Sequence, residues 1–496
     1  MSRQPRLLIL LLFTAIACGF LLLYRLDALP LRLWDEGRRA VNALEMWSGE
    51  SQFLVPSFLG KPDHWGTKPP VLIWSQALAM RVLGPTELAV RLPAALAALA
   101  TCLFLVYFSA RHLKRRWAGV IAALCLVTLP FYMDAHAARS GDYDALLVLW
   151  LTIGVLYLFV FLQENSKRAL WIAAMALTLA LWTKGVAAMF FLPGIFLLCL
   201  LMPEYRVALT NWRVYAAVIL PLASLVGYYL LREIYDPGFI GLLWENELGG
   251  RFSQPLEGHQ GGPLFYIGQL LFSPTKQPWW LCLIVVPLLY WRRAADRPLL
   301  RYLVVLLVIH LLILTLASTK LLWYAMPQIP LYCLLLGLGF QTLLDEVAKG
   351  KRLPYTNWIA IAGLILCFTW PYLNMVQRVG QTQHGLQYSS TTVYGRYLPA
   401  LDELATYTLL LPSFNPSAIF SAQLAQRRGV EVNIVYLDKP PARVHPGAVS
   451  TTNFLPGTSV VVCEMDPWLH MDTNYRFSSS HEISPCKCLK VEESVN

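Results

Sequence analysis

The sequence predicts an α-helical polytopic membrane protein that ends in a small α/β domain. Three observations carry this. Of 496 residues, 56% are hydrophobic and 14% charged, and the mean hydropathy is +0.50, which excludes a soluble globular chain. About eleven long apolar segments alternate with short polar connectors, and about 20 apolar residues are what a helix needs to cross the hydrocarbon. Beyond residue 377 the long apolar runs stop and short, mixed patterns replace them.

The apolar segments run over roughly 7–24, 88–110, 117–133, 143–162, 169–183, 186–202, 213–231, 279–291, 299–317, 322–344 and 356–375. Helices are the expected form, because backbone polar groups must be satisfied internally in lipid. Stretches 71–84 and 263–273 are further candidates, giving about 11–13 spans. The first segment, with Arg3 and Arg6 before it and no small-x-small site after it, reads as a retained anchor rather than a cleaved signal peptide.

Short basic loops orient the bundle. With the N-terminus inside, the cytoplasmic loops hold Arg111/Lys114/Arg115/Arg116, Lys167/Arg168, Arg206/Arg213, Arg292/Arg293/Arg297/Arg301 and Lys349/Lys351/Arg352. Much of the net charge of +10 is then a topology signal and not a nucleic-acid footprint. The predicted partition is a membrane domain at 1–376, with outer loops at 25–87 and 232–278, and a soluble outer domain at 377–496. In the first loop, Asp35 to Trp47 has helical spacing with Ala40, Val41, Leu44 and Trp47 apolar, as in a helix lying on a membrane surface. In the tail, Ala418–Arg428 reads as a helix, and Val430–Leu437 and Thr458–Cys463 as strands. Seven of the ten cysteines sit in spans as packing residues; in the tail, Cys463 is expected to pair with Cys486 or Cys488, leaving one thiol.

On this topology nearly every carboxylate or cation with catalytic potential falls on the outer face. Asp35 and Glu36, followed by Arg38 and Arg39, are costly to desolvate unless something uses them. They serve either as a base with a shifted pKa or as an acidic helix start that suits the dipole. Lys68, before Pro69-Pro70, is either a phosphate partner or an interfacial lysine that snorkels. Arg139 to Asp144 sets Asp142 and Asp144 at the head of a span; one N-cap explains a single carboxylate, not two with an arginine. The loop at 244–252 carries Glu247 and Arg251 around a Gly pair, with His259 beyond, and such a loop can close over a site. Lys184 and Lys320 each lie between two spans, Lys320 just before Trp323 and Tyr324. Separated cations beside carboxylates are what transfer of a group from a lipid phosphate requires: cations stabilise the leaving anion and a carboxylate handles the nucleophile.

These motifs, in order over roughly residues 5–345, resemble the bacterial polyprenyl-phosphate glycosyltransferases of the GT-C class. The likeness is to the lipid A aminoarabinose transferases, relatives of protein O-mannosyltransferases. Trp34-Asp35-Glu36-Gly37-Arg38 looks like the family's Asp-Glu-x-Arg motif, and Thr67-Lys68-Pro69-Pro70 like its Lys-Pro turn. Asp142-Tyr143-Asp144 matches the second acidic motif, and Trp182-Thr183-Lys184-Gly185 the Thr-Lys-Gly segment. Glu247, Arg251 and Phe252 keep the Glu-x-x-x-Arg-Phe spacing, His259 precedes the next aromatic helix, and Lys320 and Tyr324 match the Lys-x-x-x-Tyr step.

The resemblance implies a GT-C fold and an undecaprenyl-phosphate sugar donor, with Lys68, Arg251, Lys320 and Lys184 on its phosphate. Asp35, with Glu36, Asp142 and Asp144, would form the catalytic set, and Arg38, Glu247, His259 and Tyr324 the acceptor or loop set. It implies a bacterial inner-membrane enzyme that needs no cofactor and has a lipid or glycan acceptor at the periplasmic face. The rival readings are a transporter or flippase of lipid-linked sugars, and transfer to protein. Transporters place polar sites near the midplane, whereas the span interiors here are nearly free of charge. His310 is the exception, and it reads as hydrogen-bonded packing.

Overall fold

The described parts of the apolar segments are helical, and prolines mark two of the breaks. The computed structural model describes residues 4–31, 34–134, 136–253, 258–272, 281–349, 354–381, 393–401, 404–441, 444–445, 448–450, 453–483 and 486–494. The first helices are α1 (Gln4–Leu23), α2 (Trp34–Ser48), α3 (Val71–Leu83), α4 (Glu87–Arg111), α5 (Arg116–Val127) and α6 (Pro130–Met133). There follow α7 (Asp144–Glu164), α8 (Lys167–Lys184), α9 (Leu192–Leu201), α10 (Val207–Thr210) and α11 (Trp212–Tyr235). Next come α12 (Phe239–Leu243), α13 (Gly249–Ser253), α14 (Phe265–Phe272), α15 (Leu281–Arg292), α16 (Arg297–Leu316), α17 (Ile329–Lys349) and α18 (Pro354–Gln381).

Among the described residues, six helical segments are long and apolar enough to cross a membrane, in α4, α7, α8, α11, α16 and α17. A seventh is the pair Leu192–Leu201 and Pro203–Thr210, bent by 110°. The expected span 117–133 is split between α5 and α6, with Pro130 at the start of the second piece. The expected span 322–344 opens as a 3₁₀ turn, Leu322–Gln328, that contains Pro327. Proline lacks the N–H that a continuous α-helix would use.

The chain divides into two units. The first comprises residues 1–24, 67–72 and 94–379. Within it α7 packs on α8, α8 on α11, α5 on α17 and α15 on α17. His310 is fully buried, bonded through Nδ1 to Gln328 Nε2 at 2.6 Å and stacked on Phe191, which is the packing role expected of it. Arg115 reaches Asp345 at 2.8 Å and Asp296 at 3.1 Å, and Arg293 reaches Asp345 at 2.7 Å. These pairs gather the α4–α5 turn, the α15–α16 turn and the end of α17 on one face, in keeping with the grouping of the basic loops.

The second unit comprises residues 25–66, 73–93 and 380–496, so the loop 25–87, apart from residues 67–72, clusters with the tail. A short hairpin, β1 (Ser57–Phe58) and β2 (Lys61–Pro62), belongs to it. The tail adds α19 (Val393–Tyr397), β3 (Thr406–Leu411), α20 (Pro416–Arg427), β4 (Glu431–Tyr436), β5 (Val449–Ser450), β6 (Ser459–Val462), α21 (Met465–Asn474), β7 (Tyr475–Ile483) and β8 (Cys486–Ser494). The sheet order is β5-β4-β3-β6-β8-β7. Strands β3 and β4 are parallel, with Thr406 opposite Glu431, so they need a crossover, and α20 supplies it. Asn415 caps α20 by accepting a bond from the Ala418 N–H at 3.1 Å. Strand β8 runs antiparallel to β6, and at their ends Cys463 is bonded to Cys486, leaving Cys488 as the buried thiol.

Helix α2 departs from expectation. Positions Glu36 to Glu45 are all buried, whereas a helix lying on a membrane would keep a polar face in water. Its apolar stripe, Ala40, Val41 and Leu44, packs with Ile419 and Phe420 of α20 and with Phe58. Its polar side is buried too, in ion pairs and hydrogen bonds.

Candidate active site

The turn that leads into α7 sends its two carboxylates to different partners. Asp142 Oδ1 accepts the Tyr143 N–H at 2.7 Å, and its Oδ2 lies 2.6 Å from His136 Nδ1. His136, at φ +68°, stacks on Trp323 with centroids 4.0 Å apart. Asp144 Oδ1 accepts from Lys184 Nζ at 2.5 Å, with 1% and 7% of the two side chains exposed. A buried charge persists only when paired, so Asp144 and Lys184 hold one another in place. The Lys184 ammonium also lies 5.8 Å from the Tyr324 ring centroid. Arg139 has a plainer duty. It donates to the carbonyls of Leu21 (2.7 Å), Leu22 (3.0 Å) and Tyr24 (3.0 Å), closing the C-terminal end of α1.

Gly185 ends α8 at φ +57°, and a Cβ there would stand 2.4 Å from the Tyr229 hydroxyl and 3.8 Å from Pro69 Cδ. Only glycine takes this conformation at this approach. The Lys-Pro turn is thereby brought beside the end of α8. Lys68 Nζ and Thr67 Oγ1 each donate to Glu247 Oε1 at 2.7 Å, which ties this turn to the second outer loop. The side chains of Arg251 and Phe252 lie outside the described residues, although their backbone is in α13.

Lys320 folds back on the end of α16. Its Nζ donates to the carbonyls of Leu314 (3.1 Å), Thr315 and Ala317, completing a cation cap of the kind that suits a helix C-terminus. Burial lowers the pKa of this amine. The backbone N–H of Lys320 donates to the His259 carbonyl at 3.1 Å, and the His259 ring meets Trp323 edge-on at 6.5 Å. The 3₁₀ turn of Trp323 and Tyr324 thus touches His136, His259 and Lys184.

In the second unit the acidic motif separates by partner. Glu36 binds Arg91 through two bonds, 2.7 and 3.0 Å, and Arg91 also donates to the carbonyls of Leu26, Leu29 and Pro30. Arg38 is fully buried, joined to Asp63 at 2.5 Å, to the Val444 carbonyl at 2.8 Å, and seated over the Phe58 ring at 4.2 Å. Asp35 differs: 35% of its side chain is exposed, and the Arg39 guanidinium lies 3.6 Å away. Of the motif, Asp35 is the carboxylate open to a reactant.

Arg91, Asp63, His136 and Trp323 were not anticipated. Arg91 left a signal, being the one charged residue within the apolar run 88–110, where an ionisable group requires a partner.

Acid should loosen the second unit. Burial alone would raise the Asp63 carboxyl, but the Arg38 charge and hydrogen bond, with Arg39 and Asn42, hold it well below the usual range. Burial, then the Arg38 charge, pushes His445 down to about 4; its Nδ1 lies 2.7 Å from the Tyr436 hydroxyl. A lowered folded pKa means the unfolded chain binds more protons, so stability is lost as pH falls. The His445 contribution is complete above about 6.5, the free value, and fades toward 4; that of Asp63 fades below about 3.9. The thermal midpoint is expected to fall between pH 7 and 4.5, and His445→Gln to flatten that slope.

Residues 67–229 match the family described as dolichyl-phosphate-mannose-protein mannosyltransferase. The undecaprenyl phosphate-alpha-4-amino-4-deoxy-L-arabinose arabinosyl transferase of Shewanella sediminis is 23% identical over 363 residues, 70% of this chain and 64% of the relative. That of Aeromonas salmonicida is 26% identical over 364 residues, 71% and 64% respectively. The chain thus spans about 64% of the length of these relatives. The crystal structure of ArnT from Cupriavidus metallidurans bound to undecaprenyl phosphate superposes with a TM-score of 0.71 at 16% identity, over 97% of both chains. The Archaeoglobus fulgidus oligosaccharyltransferase gives 0.54 at 13%, over 87% of this chain and 64% of that one. The protein has the GT-C fold and is similar, in sequence and architecture, to bacterial polyprenyl-phosphate glycosyltransferases, the aminoarabinose transferases among them.

Proposed function

We propose that this chain is a membrane glycosyltransferase that moves a sugar from an undecaprenyl-phosphate donor to lipid A or another envelope glycan. It would work at the periplasmic face of a bacterial inner membrane, with the N-terminus cytoplasmic and the tail domain periplasmic. The observation that carries the reading is the pair of cation–carboxylate contacts, Lys68–Glu247 and Lys184–Asp144, which the Gly185–Pro69 approach brings to one end of α8.

The chemistry follows from the groups. The bond from the sugar's anomeric carbon to the phosphate oxygen breaks as the acceptor oxygen attacks, and the phosphate leaves as an anion. Lys68, with Lys184, Lys320 and Arg251, would stabilise that anion. The Lys68 ammonium already holds one anionic oxygen, that of Glu247, and a phosphate oxygen would take its place. Asp35 would orient the acceptor nucleophile and accept its proton. Glu36 and Arg38, spent in buried pairs, would act through the backbone they hold.

The deciding experiment is mass spectrometry of envelope glycolipids from a deletion strain against its parent. Loss of one sugar mass, restored by the wild-type chain, would name the product; unchanged lipid A, glycan and protein would reject the transferase. In reconstituted membranes Lys68→Ala is expected to raise the donor KM about 10- to 100-fold, the worth of one charge-assisted bond, with a smaller effect on kcat. An unchanged donor KM would remove Lys68 from the phosphate site.

A further inference from the structure

We infer that helix α20 of the tail is a positioning element for the catalytic carboxylate, acting through Gly37 and Gln423. This rests on the reading of Asp35 as that carboxylate.

Asp35 stands in the first turn of α2, so wherever α2 is held, Asp35 is held. A helix of 15 residues with a charged first turn has little stability of its own; its place is set by what it packs against. One such partner is α20, beside Arg91 of α4 and Phe58 of β1. The closest approach falls two residues after Asp35: a Cβ on Gly37 would lie 2.7 Å from Ser417 N, 2.9 Å from Pro416 C and 2.9 Å from Ser417 Oγ. Two of these are backbone atoms, which cannot turn aside. The x position of Asp-Glu-x-Arg is therefore glycine because the start of α20 lies on it.

Two more residues of α20 hold the rest of the helix. Gln423 Nε2 donates to Glu45 Oε1 at 2.9 Å, and Glu45 is fully buried. That carboxylate also accepts from the backbone N–H of Leu59 at 2.6 Å and from the Ser57 hydroxyl. At the far end Arg427 donates to Ser48 Oγ at 3.2 Å and to Glu50 Oε1 at 2.7 Å. Contacts at the start, near Glu45 and past the end of α2 register it against α20 along its length. A reacting group misplaced by about 1 Å costs on the order of 100-fold in rate.

The test uses full-length protein in proteoliposomes, with undecaprenyl phosphate-alpha-4-amino-4-deoxy-L-arabinose as donor and lipid A as acceptor. Gly37→Ala forces α2 off α20 and is expected to lower kcat about 100-fold. Gln423→Ala removes one bond and adds no atoms; its kcat is expected to fall about tenfold. In both, the donor KM should stay within about twofold, because Lys68 and Lys184 belong to the other unit. A merely architectural contact would instead lower protein yield and leave kcat per folded molecule unchanged. If Gly37→Ala does not reach the membrane, Gln423→Ala decides alone. Wild-type kcat in the folded variants, with Asp35→Asn inactive, overturns this inference only. Activity in Asp35→Asn overturns the catalytic reading and this inference with it.

Discussion

Asp35→Asn should abolish transfer without disturbing the fold. The substitution keeps the shape and removes a charge that has Arg39 at 3.6 Å and water over a third of its surface. Ion pairs this exposed contribute at most about 1 kcal/mol, so membrane insertion and thermal stability should match wild type. The rate should not: losing a general base costs about 10²- to 10⁴-fold. Glu36→Gln makes the instructive contrast. It leaves the buried Arg91 guanidinium without its anion, and breaking one side of a buried pair destabilises by about 3–5 kcal/mol. Two adjacent carboxylates thus fail differently, one in turnover and one in folding. Transfer at near wild-type rate in Asp35→Asn would take the catalytic role away from it.

That difference could not be read from the sequence. Adjacent acids followed by arginines fit either a catalytic cluster or a capped helix start, and the choice depends on partners far along the chain. Arg91 stands 55 residues from Glu36, and Val444 stands 406 from Arg38. Local periodicity was legible, which is why the apolar segments became helices and why α20, β4 and β6 fell where expected. The burial of α2 was not, since the stripe Ala40, Val41, Leu44 suits a membrane surface and the face of α20 equally well. Strand β3 and the hairpin of β7 and β8 were missed, because Thr406–Leu411 is a short apolar run of the kind that periodicity cannot assign. The two carboxylates at the head of α7 were visible as a pair. Their division between His136 and Lys184 depends on a tight turn and on a neighbouring helix.

The pair Asp144–Lys184 allows structure and function to be measured apart. Asp144→Ala should strand a buried lysine, and losing one partner of such a pair costs about 3–5 kcal/mol, read as a lower thermal midpoint and less protein in the membrane. Lys184→Met should do the same by stranding the carboxylate. Replacing both, as Asp144→Leu with Lys184→Met, removes both charges at similar volume, and apolar replacement of a buried ion pair is commonly neutral or stabilising. The double variant is therefore expected to regain the wild-type midpoint, the non-additivity being the coupling of the two charges. Transfer should not return with it. Lys184 sits at the end of α8, against the Gly185–Pro69 approach that brings Lys68 close, and a methionine there offers the leaving phosphate nothing. A loss of about 100-fold or more is expected, as for removal of one preorganised group that stabilises the developing charge. A double variant that is both stable and fully active would confine the pair to architecture and leave the phosphate to Lys68 and the cations beyond it.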